Sequence, residues 1–154
     1  VTQQLSIAFI TVFFVISLQS QTSTSPTQNK SIEELLIGKW YGGGEDENDK
    51  EKGYMIFDEE NGAVFVVDGE TIGGPDFEME GTPIELSYEL DEEHKPTYLD
   101  FVFSMAGTEI SRMKGIIKFS GNDAFRINIS AEPGTPRPAS FDEGDIAAFE
   151  RVKQ

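Results

Sequence analysis

Short runs of alternating apolar and polar residues recur along most of this chain. In residues 84–90 and 125–129 every second residue is apolar, which gives each segment one apolar and one polar face. Turn-forming residues separate such runs at intervals of about ten residues, as at Asn61 and Gly62. No segment after Lys39 has the 3.6-residue apolar period of an amphipathic helix. The pattern therefore predicts an all-β fold.

The alternation predicts eight to nine antiparallel strands joined by short loops. They are residues 39–43, 53–58, 63–68, 71–80, 84–90, 98–104, 109–119, 125–129 and 146–152. Gly73, Gly74 and Pro75 are expected to break or bulge the fourth of these. Three prolines assign residues 132–140 to a surface loop, because proline cannot donate to a central ladder. About eight strands with short sequential connections suit an up-and-down β-barrel, and a sandwich with Greek-key crossovers is the alternative.

A short helix is predicted before the first strand. Ser31 and Glu34 have the spacing of a capping box, in which each side chain accepts a hydrogen bond from the other residue's backbone N–H. Gly38 is placed to end the helix after one or two turns. Its apolar residues, Ile32, Leu35 and Leu36, would then plug one end of the barrel.

The N-terminal residues predict export. Residues 6–18 form an uncharged apolar run of 13 residues, which is short of the roughly 20 that span a bilayer and typical of a signal-peptide core. We therefore expect a signal peptide at residues 1–20, a disordered linker at 21–30 and one folded domain at 31–154. The mature protein would be periplasmic or secreted, with no stable membrane insertion. An uncleaved anchor and a buried N-terminal strand are the alternatives.

Charge and cysteine content exclude several kinds of partner and chemistry. The chain has 28 acidic and 12 basic residues, a formal net charge of −16. Such a surface repels phosphate backbones, so nucleic acid is not an expected partner, and anionic lipid surfaces are disfavoured. The absence of cysteine excludes disulfides, thiolate metal sites and cysteine nucleophiles.

Gly38 and Trp40 at the start of the first strand, with Arg151 near the end of the last, resemble the lipocalin and calycin pattern. That resemblance implies a closed barrel in which the first and last strands meet and no sheet edge is free. It also implies that the Arg151 guanidinium lies on the Trp40 indole as a structural closure, within about 6 Å of the ring.

Three further segments are similar to an uncharacterised lipocalin-like domain family of exported bacterial proteins. They are the run from Tyr88 to Asp100, the segment 114–123, and Arg137-Pro138 followed by Phe141. The chain departs from that family at Ile117, where the family has an aromatic residue, and it lacks the family's cysteine. The resemblance implies the barrel fold but no activity, because the family has none assigned.

In a soluble barrel the apolar set of each strand lines the interior. The predicted interior residues, which are the candidate ligand-binding residues, are Tyr54, Phe65, Leu86, Tyr88, Leu99, Phe101, Phe103, Phe125 and Ile127. For residues 54–57 the opposite register, with Met55 and Phe57 inside, is equally open. A barrel of about eight strands either holds one small ligand or is filled by its side chains. We thus expect a small hydrophobic or amphipathic ligand in the barrel, or else a filled barrel that acts as a structural or protein-interaction domain.

No catalytic, metal or cofactor site is predicted. His94, the single histidine, lies among charged residues in a predicted loop, where polar side chains are usual. The acidic residues 45–49 and 142–145 have oxygen ligands suited to Ca²⁺ but not the spacing of a calcium loop. Asn128 matches a glycosylation acceptor if the source is eukaryotic. We do not expect an enzyme.

Overall fold

A computed structural model describes residues 30–45, 52–130 and 132–153. The predicted signal peptide, most of the linker and most of the acidic segment 45–49 lie outside these residues. The elements are α1 (Ile32–Leu36), β1 (Gly38–Gly44), β2 (Lys52–Phe57), β3 (Ala63–Val67), β4 (Glu70–Gly73), β5 (Glu78–Met79), β6 (Thr82–Pro83), β7 (Glu85–Asp91), β8 (Thr97–Met105), β9 (Thr108–Phe119), β10 (Ala124–Ile129) and β11 (Ile146–Arg151). The all-β prediction is confirmed.

The short helix α1 begins with the predicted capping box. The Glu34 backbone N–H donates to the Ser31 hydroxyl oxygen at 3.1 Å, and the Ser31 N–H donates to the Glu34 carboxylate at 3.0 Å. Leu36 is fully buried and belongs to the main hydrophobic core. The prediction that this helix plugs a barrel end is not confirmed, because the sheet does not close into a barrel.

Nine strands form one curled antiparallel sheet in the order β4-β3-β2-β1-β11-β10-β9-β8-β7. The first and last long strands are neighbours, so the two ends of the domain meet as predicted. We call this β1–β11 pairing the junction. Its register pairs Trp40 with Arg151 and continues to Gly44 and Ala147.

The prediction of a closed barrel is wrong. The ladder ends at β4 on one side and at β7 on the other, so the sheet is an open half-barrel with two edges. Within the described residues one isolated bridge crosses the gap, from Gly62 in the β2–β3 turn to Ser87 of β7, and the Tyr88 N–H donates to the Asn61 carbonyl beside it at 2.8 Å. We call this gap the seam.

The seam arises because the chain leaves the sheet after Gly73. That residue has φ of +90°, which favours glycine, and Gly74 follows with φ of +86°. The predicted break at these glycines is present, and the predicted fourth strand therefore shrinks to β4. The rest of that segment includes β5, which pairs with β6 beyond it in a separate hairpin. Among the described residues no long ladder joins β4 to β7, so the barrel does not close.

The concave face of the sheet is filled by apolar side chains. Five of its aromatic rings pack in two groups: the Trp40 ring packs edge-on against Phe125 at 4.6 Å between centroids, and Phe57 packs against both Tyr88 and Phe101 at 5.1 and 6.1 Å. Trp40, Phe57, Phe101 and Phe125 are at most 1% exposed. Burial of these rings is the main apolar contribution to the stability of the sheet.

Tyr54 does not face the core, which corrects one of the predicted interior positions. Its ring lies 5.0 Å from that of Tyr41, an exposed residue, and Lys39 places its ammonium 4.0 Å from the Tyr54 centroid on the outer face. Met55 and Phe57 point inward instead. Residues 54–57 are all apolar or aromatic, so alternation alone did not decide which two of them face the core. With Tyr54 on the outer face, its hydroxyl stays near water.

Candidate functional site

A cleft of about 590 Å³ lies along the seam. Its walls come from four places in the chain: the β2–β3 turn, the segment after β4 with Pro83 of β6, the start of β7, and the β8–β9 turn. The lining residues are Asp58, Glu60, Gly62, Ala63, Val64, Gly74, Pro75, Phe77, Pro83, Ile84, Glu85, Leu86, Ser104, Ala106 and Gly107. We call it the seam cleft. Its volume is within the range of small-ligand sites, about 300–1,000 Å³.

The apolar part of the seam cleft includes Val64, Phe77, Ile84 and Leu86. The segment 74–84 folds back on itself, and the Ile84 N–H donates to the Phe77 carbonyl at 3.0 Å. Leu86 belongs to the main core, whereas Val64 lies outside it on the other face of β3. The cleft is therefore a surface site next to the core, not an opening inside it.

The charged side chains of the seam cleft are three carboxylates, Asp58, Glu60 and Glu85. Asp58 is fixed: one carboxylate oxygen accepts from the Glu60 N–H at 2.9 Å and from the Gly62 N–H at 2.7 Å. Glu60 and Glu85 are exposed at the rim. Lysine, arginine and histidine are absent from the lining residues.

Tyr88 lies under the β2–β3 turn and contacts Asp58. Its hydroxyl donates to the Asp58 carbonyl at 3.1 Å. Burial raises the pKa of Tyr88 above its usual value, and the nearby carboxylates of Glu33 and Asp58 raise it further. Tyr88 is 3% exposed, so burial is the first cause of this shift.

The other eight predicted interior residues belong to the main core or pack against it, in agreement with their predicted orientation. They are Phe65, Leu86, Tyr88, Leu99, Phe101, Phe103, Phe125 and Ile127. They contact one another closely, as Phe65 and Phe101 do at 4.8 Å between centroids. The structure brings them together as a packed core, and of the eight Leu86 also lines the seam cleft.

The predicted contact between Arg151 and Trp40 is present at the junction. The guanidinium carbon lies 4.2 Å from the indole centroid. The same guanidinium donates to the carbonyls of Leu35 and Ile37 at 2.6 and 3.0 Å, and the Trp40 indole N–H donates to the Leu36 carbonyl at 2.7 Å. These bonds satisfy carbonyls at the end of α1 and connect the helix to both strands of the junction.

A cluster of five charged side chains crosses the outer face of β7, β8 and β9. We call Glu89, Asp100, Glu109, Arg112 and Arg137 the ion cluster. Asp100 is only 7% exposed and accepts hydrogen bonds from Arg112, at 3.1 Å, and from Arg137. Burial by itself would raise the pKa of Asp100, but the hydrogen bonds from Arg137 and Arg112 outweigh it and hold the pKa below its usual value.

The ion cluster attaches the loop of residues 132–145 to the sheet. Arg137 donates to the Gly115 carbonyl at 2.6 Å and places its guanidinium 3.9 Å from the Tyr98 ring. Its partners Asp100 and Gly115 lie in β8 and β9, so Arg137 connects the loop to both strands.

The remaining sequence candidates have local partners. The His94 ring stacks on Tyr98 at 4.0 Å and contacts the Asp91 carboxylate at 2.9 Å. Asn128 is 1% exposed and donates to the carbonyls of Ser140 and Glu143, which places its amide among protein groups and not on the surface that glycosylation requires. Glu45, the first residue of the acidic segment, forms a two-bond ion pair with Arg126.

Within residues 30–45, 52–130 and 132–153, no three carboxylate or imidazole side chains converge as a metal site would require. The same residues include no helix with the length and apolar content of a membrane span. All buried side-chain nitrogen and oxygen atoms in these ranges have a hydrogen-bond partner.

Sequence reasoning missed the seam cleft. The local signal was the glycine pair and proline at residues 73–75, which indicated that the fourth strand stops.

A comparison of the chain with family models, with curated proteins and with solved structures found no match.

Proposed function

We propose that this chain is an exported binding domain that holds a small amphipathic molecule in the seam cleft. The observation that carries the proposal is the cleft itself, a volume of about 590 Å³ with both apolar and charged walls. Ligand sites of this size are mostly apolar with a few placed polar groups. The ligand would lie beside the packed core and would use Leu86, Ile84 and Val64 for apolar contact.

The proposed export rests on the uncharged apolar run at residues 6–18. Its test is N-terminal sequencing of the mature protein recovered from culture medium or periplasm of its own host. A mature chain that starts near residue 21 supports export. A chain that keeps residues 1–20 and stays in the cytoplasm contradicts it.

The first test of binding is native mass spectrometry of the domain purified from its own host. A bound mass of a few hundred daltons that survives gentle desolvation supports the proposal, and extraction then identifies the molecule. The second test titrates the ligand-free protein with eight-carbon amphiphiles below their micelle concentrations, measured by calorimetry.

Two matched variants locate the binding. Val64 lines the seam cleft, whereas Val66 lies on the same strand and the same face without lining it. Val64→Trp fills part of the cleft and is expected to weaken binding about tenfold or more, the effect of losing a few apolar contacts. Val66→Trp is expected to leave the affinity within about twofold. Equal effects of the two variants would place the binding elsewhere.

The alternative is a filled barrel-like domain that acts through its surface, with no ligand. The observation in its favour is the packing of the concave face, where the largest rings are at most 1% exposed. A bare mass in repeated preparations, together with no binding of any amphiphile, would support this alternative and reject the binding proposal.

A further inference from the structure

The seam cleft is anionic at its rim and apolar in its floor, and this combination selects a ligand class. We propose that its ligand is an amphipathic cation, an apolar chain or ring system that carries an amine or quaternary ammonium group. This inference rests on the proposed binding function of the same cleft.

The charges are local to the site. Asp58, Glu60 and Glu85 line the cleft, and no basic side chain is among its lining residues to neutralise them. At physiological ionic strength, charges beyond about 8 Å are largely screened. The carboxylates of the rim, and not the remote part of the −16 net charge, therefore decide which head group the cleft favours.

One of these charges is held in a fixed position. The two backbone N–H bonds to the Asp58 carboxylate orient it, and Gly62 packs so closely that a Cβ there would lie 2.4 Å from the other carboxylate oxygen. A fixed anion attracts a cation without an ordering cost on binding.

The apolar contacts argue against a small bare cation as the ligand. Ile84 is 5% exposed, and Val64 and Phe77 are half-buried beside it. A metal ion or a free ammonium ion would leave these side chains unused, whereas an apolar chain would remove their remaining surface from water. An anionic amphiphile would make the same apolar contacts but would place its head group against three carboxylates.

The experiment compares three probes with the same eight-carbon chain and different head groups: octyltrimethylammonium, octanoate and octyl glucoside. Each is titrated below its micelle concentration into the full chain and followed by calorimetry. We expect octyltrimethylammonium to bind at least tenfold more tightly than octanoate, with octyl glucoside between them. Its affinity should fall as salt rises from low to physiological concentration.

Two double variants with the same change in net charge separate the rim from the general acidity. Glu60→Gln with Glu85→Gln removes two rim charges and is expected to weaken octyltrimethylammonium binding about tenfold. Glu70→Gln with Glu150→Gln removes two exposed charges outside the cleft and should change the affinity for octyltrimethylammonium by less than about twofold. Asp58 is left intact because it caps the β2–β3 turn.

The outcomes distinguish this inference from the proposed function. If octanoate or octyl glucoside binds as tightly as the cation and Val64→Trp weakens that binding, the cleft binds ligands but the cation inference is wrong. If both double variants weaken the cation equally, the attraction is a property of the whole surface and the inference is also wrong. If no probe binds, the inference and the proposed function fail together.

Discussion

The junction between β1 and β11 and the seam between β4 and β7 are the two joins of the curled sheet, and they are held differently. The junction has a continuous ladder, and on its inner face Arg151 lies over Trp40 and donates to carbonyls of α1. In the part of the chain that the structure describes, the seam is crossed by one isolated bridge, which joins the β2–β3 turn to β7. On the seam side, the strongest side-chain contacts lie on the outer face, in the ion cluster of β7, β8 and β9.

The difference shows that backbone pairing and side-chain contacts occur together at a well-joined pair of strands. Where a buried ring and a guanidinium fix two strands, the register extends over five residue pairs. Where the chain turns away at Gly73, the edges stay apart and a cleft remains. The seam cleft therefore lies where the backbone ladder is interrupted.

The largest expected effect comes from removing the ring at the junction. Trp40→Ala should lower the free energy of unfolding by about 3–5 kcal/mol, because it leaves a large cavity in a fully buried position. Urea denaturation followed by circular dichroism measures this. Tyr41→Ala is the matched control, since its ring is 44% exposed on the opposite face. Similar losses for both variants would contradict a special role for the junction.

Asp100→Asn tests the outer-face contacts of the seam half. At pH 7 it should cost about 2–3 kcal/mol, because it weakens charged hydrogen bonds from Arg112 and Arg137. The pKa of Asp100 is lower in the folded than in the unfolded state, so its stabilisation is present above about pH 4 and is lost as the pH falls through the folded pKa. The stability curves of variant and wild type should converge in acid. A constant gap down to pH 3 would contradict this assignment.

Arg151→Lys tests whether the geometry of the guanidinium matters at the junction, or only its charge. Lysine keeps the charge but cannot donate to the Leu35 and Ile37 carbonyls while lying flat on the indole. We expect a loss of about 2 kcal/mol in the free energy of unfolding. Arg126→Lys, at an exposed ion pair with Glu45, should have little effect. A neutral Arg151→Lys would show that the charge alone is sufficient.

The smallest difference between a variant and its control is expected at the seam, for Gly73→Ala compared with Gly81→Ala. Both glycines have positive φ, +90° and +76°, so the backbone strain of alanine, about 1–2 kcal/mol, is shared. A Cβ at Gly73 would lie 2.3 Å from the Ala63 carbonyl, whereas one at Gly81 would meet nothing within 4 Å. Gly73→Ala should therefore cost about 1 kcal/mol more. Hydrogen exchange of the Tyr88 amide, which bonds across the seam, should also accelerate in that variant alone.

The sequence predicted the strands and the inner face well, because alternation reports directly on which side chains are buried. Leu86, Tyr88, Leu99 and Phe101 all lie where alternation placed them. It failed at Tyr54, where neighbouring residues are all apolar and the period disappears. It also failed to predict that the barrel stays open, because alternation within a strand does not report whether the edge strands β4 and β7 pair with each other.

The candidate site was out of reach for a similar reason. Val64, Phe77 and Glu85 belong to three different segments, and nothing in the sequence around any of them indicates that they line one cleft. The ion cluster was equally hidden: Asp100 alternates with Leu99 and Phe101, which predicts the outer face for it but neither its burial nor an ion-pair partner. The partner itself, Arg137, lies 37 residues away and follows only from the fold.

The junction also has a consequence for how the chain folds during its synthesis. Arg151 bonds to the Ile37 carbonyl, 114 residues earlier, so β1 lacks one of its two neighbours until β11 has emerged. Contacts over such separations are slow to form because the loop between them loses entropy first. The nascent chain should therefore stay incompletely folded until its last strand is available, and a truncation before residue 146 should leave β1 and β10 as exposed edges prone to aggregation.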